Sequence, residues 1–116
     1  MIITKKEPFT KEEIEKLSEE LETYIKTVID IKEKICSAGG HLHFDNEQIL
    51  LKKGSKQINL WGGGIDTSTL TIDLNAMINL RPIENPSNEI LNSAIRNKFE
   101  KLMKYFFPEL NPSWTR

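Results

Sequence analysis

The residues best suited to chemistry lie close together in His41-Leu42-His43-Phe44-Asp45-Asn46-Glu47. If this stretch is extended, His41, His43, Asp45 and Glu47 share one face, spaced about 6–7 Å apart along the strand. Imidazole together with carboxylate suits Zn, Mn or Fe, and residues two apart on a strand can share an ion. His41, His43 and Glu47 are the candidate metal set, with a divalent transition metal as the cofactor. The same residues allow a small metal-dependent or hydrolase-like enzyme. In it His43 would be ligand or general base, Asp45 and Glu47 ligands or acid/base partners, and Arg81 an anion clamp. The spacing His41, His43, Glu47, Gly54 also resembles the first motif of cupin barrels. However, Ile35 stands where that motif has glycine, and the chain's 2 histidines leave no third ligand of that kind. The plain alternative is the solvated face of a half-buried strand, which needs no cofactor.

A wider polar surface arises if even-numbered residues face the core. The opposite face then collects His43, Asp45, Gln57, Asn59, Trp61, Asp73, Asn79 and Arg81, to which Glu47 is added as a neighbour. Trp61 is an aromatic plate there, Arg81 a bidentate grip for carboxylate or phosphate, and the amides give directional recognition. The competing reading has Trp61 filling a gap at the sheet edge and Arg81 paired with Asp73. Cys36 has no general base assigned to it and reads as a buried structural thiol. Gly62-Gly63-Gly64 lacks the Lys-Ser/Thr of a P-loop and reads as a bulge or hinge. Lys52 to Lys56 reads as a basic hairpin tip.

These side chains depend on elements with clear signals of their own. Thr10 and Glu13 form a capping box flanked by Phe9 and Ile14, and Ile14, Leu17 and Leu21 make an apolar stripe, predicting a helix over about 11–22. Residues 24–31 are ambiguous. The apolar stripe continues through Tyr24, Val28, Ile31 and Ile35, as in a helix, whereas the β-branched content favours a strand. From Gly40 the period is two. The sharpest alternation is Leu70, Ile72, Leu74, Ala76, Ile78 and Leu80, predicting a long strand. Asn92 is an N-cap for a last helix with the stripe Ile95, Phe99, Leu102, Met103 and Phe106, stopped by Pro108 and followed by a tail carrying Trp114.

Composition narrows the class. The chain has 116 residues, 16 basic and 17 acidic side chains, a net charge of −1 and a single cysteine. That length fits one domain, 1–116, with about 108–116 as a short tail. One cysteine excludes an internal disulfide and a cysteine-rich zinc module. Near-neutral charge argues against a broad electrostatic grip on nucleic acid. No apolar run is long enough to span a membrane, and the first residues lack the order of a secretory signal, so the expected setting is cytoplasmic.

Gly40-His41-Leu42-His43-Phe44-Asp45-Asn46-Glu47, Leu50-Leu51, Gly54-Ser55, Gln57, Leu60-Trp61-Gly62 and Ile78-Asn79-Leu80-Arg81-Pro82 together resemble a small family of uncharacterised prokaryotic proteins, from about Tyr24 to the last helix. The resemblance implies no established activity and brings across no catalytic residues. It implies a strand at 24–31, which decides that ambiguity. Members of that family often carry an acidic residue where this chain has His41, which counts against any mechanism needing both histidines.

The expected fold is therefore α+β, a mainly antiparallel sheet with an N-terminal and a C-terminal helix covering one face. The expected role is a non-catalytic binding or accessory module. It would act through the polar sheet face or a homodimer surface, on a protein partner or small ligand.

Overall fold

The computed structural model describes residues 1–19 and 21–110. Five strands form one antiparallel sheet: β1 (Ile2–Lys5), β2 (Tyr24–Asp30), β3 (Ile35–Gly39), β4 (Leu60–Asp66) and β5 (Thr71–Asp73), in the order β1-β3-β2-β4-β5. Three helices pack on it: α1 (Lys11–Ser18), α2 (His43–Lys52) and α3 (Ser93–Phe106). The fold is α+β, as expected, and residues 24–30 are a strand.

Strand alternation assigns the two faces. Ile25 and Ile29 of β2, Cys36 and Ala38 of β3, and Trp61 and Ile65 of β4 belong to the main core. Leu17 of α1 and Phe99, Met103 and Phe106 of α3 complete that core. A fully buried phenylalanine such as Phe99 contributes about 3–5 kcal/mol against alanine. Thr27 lies on the same face, where its hydroxyl donates to Met103 Sδ at 3.4 Å. The terminal helices thus cover one face, as the stripes in the sequence predict.

Both helix starts match their caps. The Glu13 amide donates to Thr10 Oγ1 at 3.1 Å while the Thr10 amide donates to Glu13 Oε1 at 2.8 Å. Asn92 Oδ1 accepts from Ala94 and Ile95. α1 ends at Ser18 rather than near residue 22. There the Ser18 hydroxyl turns back to the Ile14 carbonyl, and Glu19 and Glu22 would place negative charge at the negative end of the dipole.

The opposite face is not open to solvent. Val28, Leu60 and Leu50 form a second small core there, with Ile35, Leu51 and Ile78 packed against it. α2 lies across this face, pinned by Asn46, which accepts from Ser37 Oγ at 2.7 Å and donates to the Gly39 carbonyl at 3.0 Å.

Two expectations about strands are overturned. Gly62–Gly64 is no bulge but the middle of β4, paired residue for residue with Val28, Thr27 and Lys26. Side chains have no room there. A Cβ on Gly62 would meet Ala76 Cβ at 2.6 Å, one on Gly63 would run into the Asp73 carbonyl, and one on Gly64 would meet the Tyr24 ring at 2.5 Å. The glycines are strand residues because the neighbouring layer comes down onto the backbone. Conversely, the alternating run 70–80 contributes only Thr71–Asp73 to the sheet. Leu70 has φ +57°, and beyond Asp73 the chain leaves β4, crosses over Gly62 and bridges residues 88–90 through Asn75 and Glu89, ending in a 3-10 turn at Met77–Asn79.

Candidate functional site

Residues 40–47 are not extended. β3 ends in two left-handed glycines, Gly39 at φ +102° and Gly40 at φ +75°, and α2 begins at His43. On a helix, residues two apart diverge by about 200°. Asp45 is therefore exposed in the first turn, away from His43, while Glu47 returns to the His43 side and is buried. His41 lies before the helix and is exposed. The shared face expected for His41, His43, Asp45 and Glu47 does not form. Among the described residues, no group of three His, Cys, Asp or Glu side chains converges as a metal site. The usable signal was Gly39-Gly40, a double break, with Asn46 and Leu50 one helical turn apart on the buried side of the helix after it.

His43 instead closes a polar cluster with residues from three strands. Lys26, Gly64 and Asp73 lie in one row across β2, β4 and β5. The Tyr24 ring covers Gly64, and its hydroxyl donates to Asp73 Oδ2 at 2.6 Å. Lys26 Nζ lies 5.5 Å from the centre of that ring. His43 Nε2 meets the Gly63 carbonyl at 2.7 Å, and because a carbonyl only accepts, Nε2 carries the proton. Burial holds the His43 pKa below its ordinary value and Lys26 acts in the same direction, while the Gly63 carbonyl and Asp73 pull the other way. Burial, reinforced by Asp73, pushes the Tyr24 phenol well above its usual range. Sequence patterning picks out His43 and Asp73 but misses Tyr24 and Lys26. Their alternate positions on β2, with Lys26 opposite Gly64 and the Tyr24 ring over that same glycine, are the signal that could have found them.

Asn79, Trp61 and Arg81 do not form an open recognition face. Asn79 is fully buried, and its amide is spent on backbone: Oδ1 accepts from the Gly62 amide at 2.8 Å, and Nδ2 donates to Gly62 O at 2.9 Å and Asn88 O at 3.0 Å. Trp61 belongs to the main core, on the α3 face. The Arg81 guanidinium lies over its ring, 3.8 Å from the ring centre, and donates to the carbonyls of Ile58, Gln57 and Leu60. Arg81 is thus a cap for the backbone entering β4, not an anion clamp. Nor does it pair with Asp73, whose carboxylate is taken by Tyr24 and Asn75. The Gln57 side chain is exposed on a 3-10 turn and Asn59 is half-buried.

Lys52 and Lys53 end α2, and Gly54 comes next at φ +102°, so the basic turn is a helix C-terminus rather than a hairpin tip. Cys36 is buried, and burial pushes its thiol far above the ordinary range, in keeping with a structural role. Phe106, Phe107 and Leu110 dock onto the body, so the chain is still packed as far as residue 110. Trp114 lies outside the described residues. Among the described residues, no helix is long and apolar enough to cross a membrane.

A comparison with curated proteins finds no match. Nor does any solved structure match the chain. A family model covers residues 1–106, and by that match the chain belongs to the family described as "Protein of unknown function (DUF5674)".

Proposed function

We propose that the protein is a non-catalytic binding module that works as a homodimer through the loop between β5 and α3. The observation that carries this reading is how that loop is built. Asn79 and Asn85 stitch it internally: Asn85 Nδ2 donates to the carbonyls of Asn79, Ser87 and Glu89, and its Oδ1 accepts from the Leu91 amide. Arg81 and Asn85 also exchange both backbone hydrogen bonds. A loop fixed this firmly still holds Ile83 at 94% exposure, Met77 at 80% and Leu80 at 53%. Arg81 ties the loop to Ile58, itself 60% exposed.

Large apolar side chains held rigidly in water mark an interaction surface, because a fixed backbone loses little entropy on binding. A second copy is the favoured occupant. A two-fold contact places each patch on itself, so the exposed apolar side chains of one copy meet those of the other. Mass measured by size-exclusion light scattering across a range of concentrations tests the proposal. A dimer that Ile83→Asp and Met77→Asp convert to folded monomer supports it. A monomer at every concentration, or a dimer insensitive to both substitutions, overturns it.

A further inference from the structure

The charge that sums to −1 over the chain is unevenly placed. A groove of about 620 Å³ runs between the β2–β3 turn and α3, and the charged side chains lining it are all lysines: Lys32, Lys34, Lys98 and Lys101. It continues past Lys34, Lys101 and Leu102 into a second hollow of about 490 Å³, where Lys6 and Tyr105 join the wall and Glu33 is the sole carboxylate. Among the described residues, none of these five ammonium groups pairs with a carboxylate. Lys98 and Lys101 are one helical turn apart on α3, a like-charge spacing that opposes helix formation when nothing neutralises it.

The turn carrying Lys32 and Lys34 is prearranged. The buried Asp30 carboxylate accepts from the amides of Lys32 at 3.0 Å and Glu33 at 2.9 Å, and from Ser55 Oγ at 2.6 Å. Lys34 has φ +58°, a left-handed conformation that glycine or asparagine adopts more readily. That conformation closes the β2–β3 hairpin and fixes the direction in which Lys34 leaves the turn. The groove also has apolar walls, Ile31 and Leu102, and an exposed ring. Tyr105 is 46% exposed, and its hydroxyl is fixed on the Lys6 carbonyl at 3.0 Å, with its ring edge-on to Phe106.

We infer that this groove binds a short segment of single-stranded nucleic acid, with phosphates on the lysines and a base stacked on Tyr105. Flexible ammonium groups track a phosphate backbone without needing fixed geometry, and an exposed ring among them is the usual stacking platform. An open trough suits a strand passing through better than an enclosed small phosphate ester. With net charge near zero there is no general field to attract polyanions, so binding must come from this groove alone.

The test uses the full chain and a fluorescein-labelled oligothymidylate of about eight nucleotides. Anisotropy is measured against salt, with ATP and inorganic polyphosphate as competitors. Saturable binding is expected, with a log–log salt slope of about −3 if four lysines each release a counterion. K34E combined with K101E should weaken it at least about tenfold, since both side chains are exposed and each reversal adds repulsion. Tyr105→Ala should weaken oligonucleotide binding but not polyphosphate binding, and Tyr105→Phe should preserve both. The inference is overturned by absence of binding at about 50 mM salt, or by indifference to the lysine reversals. Equal competition by polyphosphate with no effect of Tyr105→Ala would also overturn it, as would ATP binding as tightly as the oligonucleotide.

Discussion

Asn79 and Gly62 form a two-point amide clasp. The Gly62 amide donates to Asn79 Oδ1 at 2.8 Å, and Asn79 Nδ2 returns a hydrogen bond to Gly62 O at 2.9 Å. A side chain thus satisfies the outer edge of β4 where β5 has already stopped, in place of a paired strand residue.

Replacing Asn79 by leucine keeps the branched four-atom side chain, with some added bulk, but strands two buried backbone groups of Gly62. Each costs about 1–3 kcal/mol when left unsatisfied, so we expect a loss of about 2–5 kcal/mol. Urea denaturation measures it, with an unchanged slope showing that the native state is intact. A loss below about 1 kcal/mol would mean that the loop rearranges to supply new partners.

The glycines of β4 and of the α2 C-terminus should respond differently. Gly63→Ala places a Cβ against the Asp73 carbonyl and 2.8 Å from the Phe99 ring, so the sheet or α3 must shift. We expect more than about 3 kcal/mol of destabilisation or no soluble protein. Gly54→Ala meets nothing within 4 Å and suffers only from φ +102°. That should cost about 1–2 kcal/mol, and Gly54→Asn less, as thermal melting would show.

Arg81→Lys separates a charge role from a geometric one. Lysine preserves the charge but lacks the forked guanidinium that covers the Trp61 ring while reaching the carbonyls of Gln57, Ile58 and Leu60. We expect a loss of about 3–6 kcal/mol, from two charge-assisted hydrogen bonds lost at about 1.5–3 kcal/mol each. A neutral outcome would mean that charge alone is required at this position.

His43 should make stability depend on pH. Its folded pKa lies below the ordinary value of 6.5, chiefly because burial disfavours the charged ring. The unfolded chain therefore takes up the proton first as pH falls. The stability is complete above about pH 6.5 and is lost from there downward, through the lowered folded value. Unfolding free energies measured from pH 8 to 5 should fall more steeply for the wild type than for His43→Gln, which does not titrate. Parallel profiles would show that the ring is not held neutral.

The sequence by itself determined the features that local chemistry can encode. The capping box at Thr10 and Glu13, the Asn92 cap and the stripe Phe99, Met103, Phe106 specified α1 and α3 and the face they bury, because caps and helical periodicity act within a few residues. The β-branched run in β2 was ambiguous by periodicity, and resemblance resolved it. Tertiary structure decided the rest. Leu70 to Leu80 is apolar at every even position and polar between except at Met77, yet a run joins a sheet only where the fold supplies a strand beside it, and beyond Asp73 the neighbour is residues 88–90 rather than β4. Contact between Ala76 and Gly62 redirected the chain across the face, so only Thr71–Asp73 joined the sheet. The period of two in His41–Glu47 likewise gave way to a helix once Gly39-Gly40 turned the chain and Asn46 found Ser37 and Gly39 across the fold. The polar residues singled out for recognition met the same fate. Asn79 and Arg81 stand out in the sequence, but a sequence does not say whether an amide or guanidinium faces a ligand or the backbone. Only the packed structure places carbonyls within reach, and buried donors take the acceptors that lie nearest.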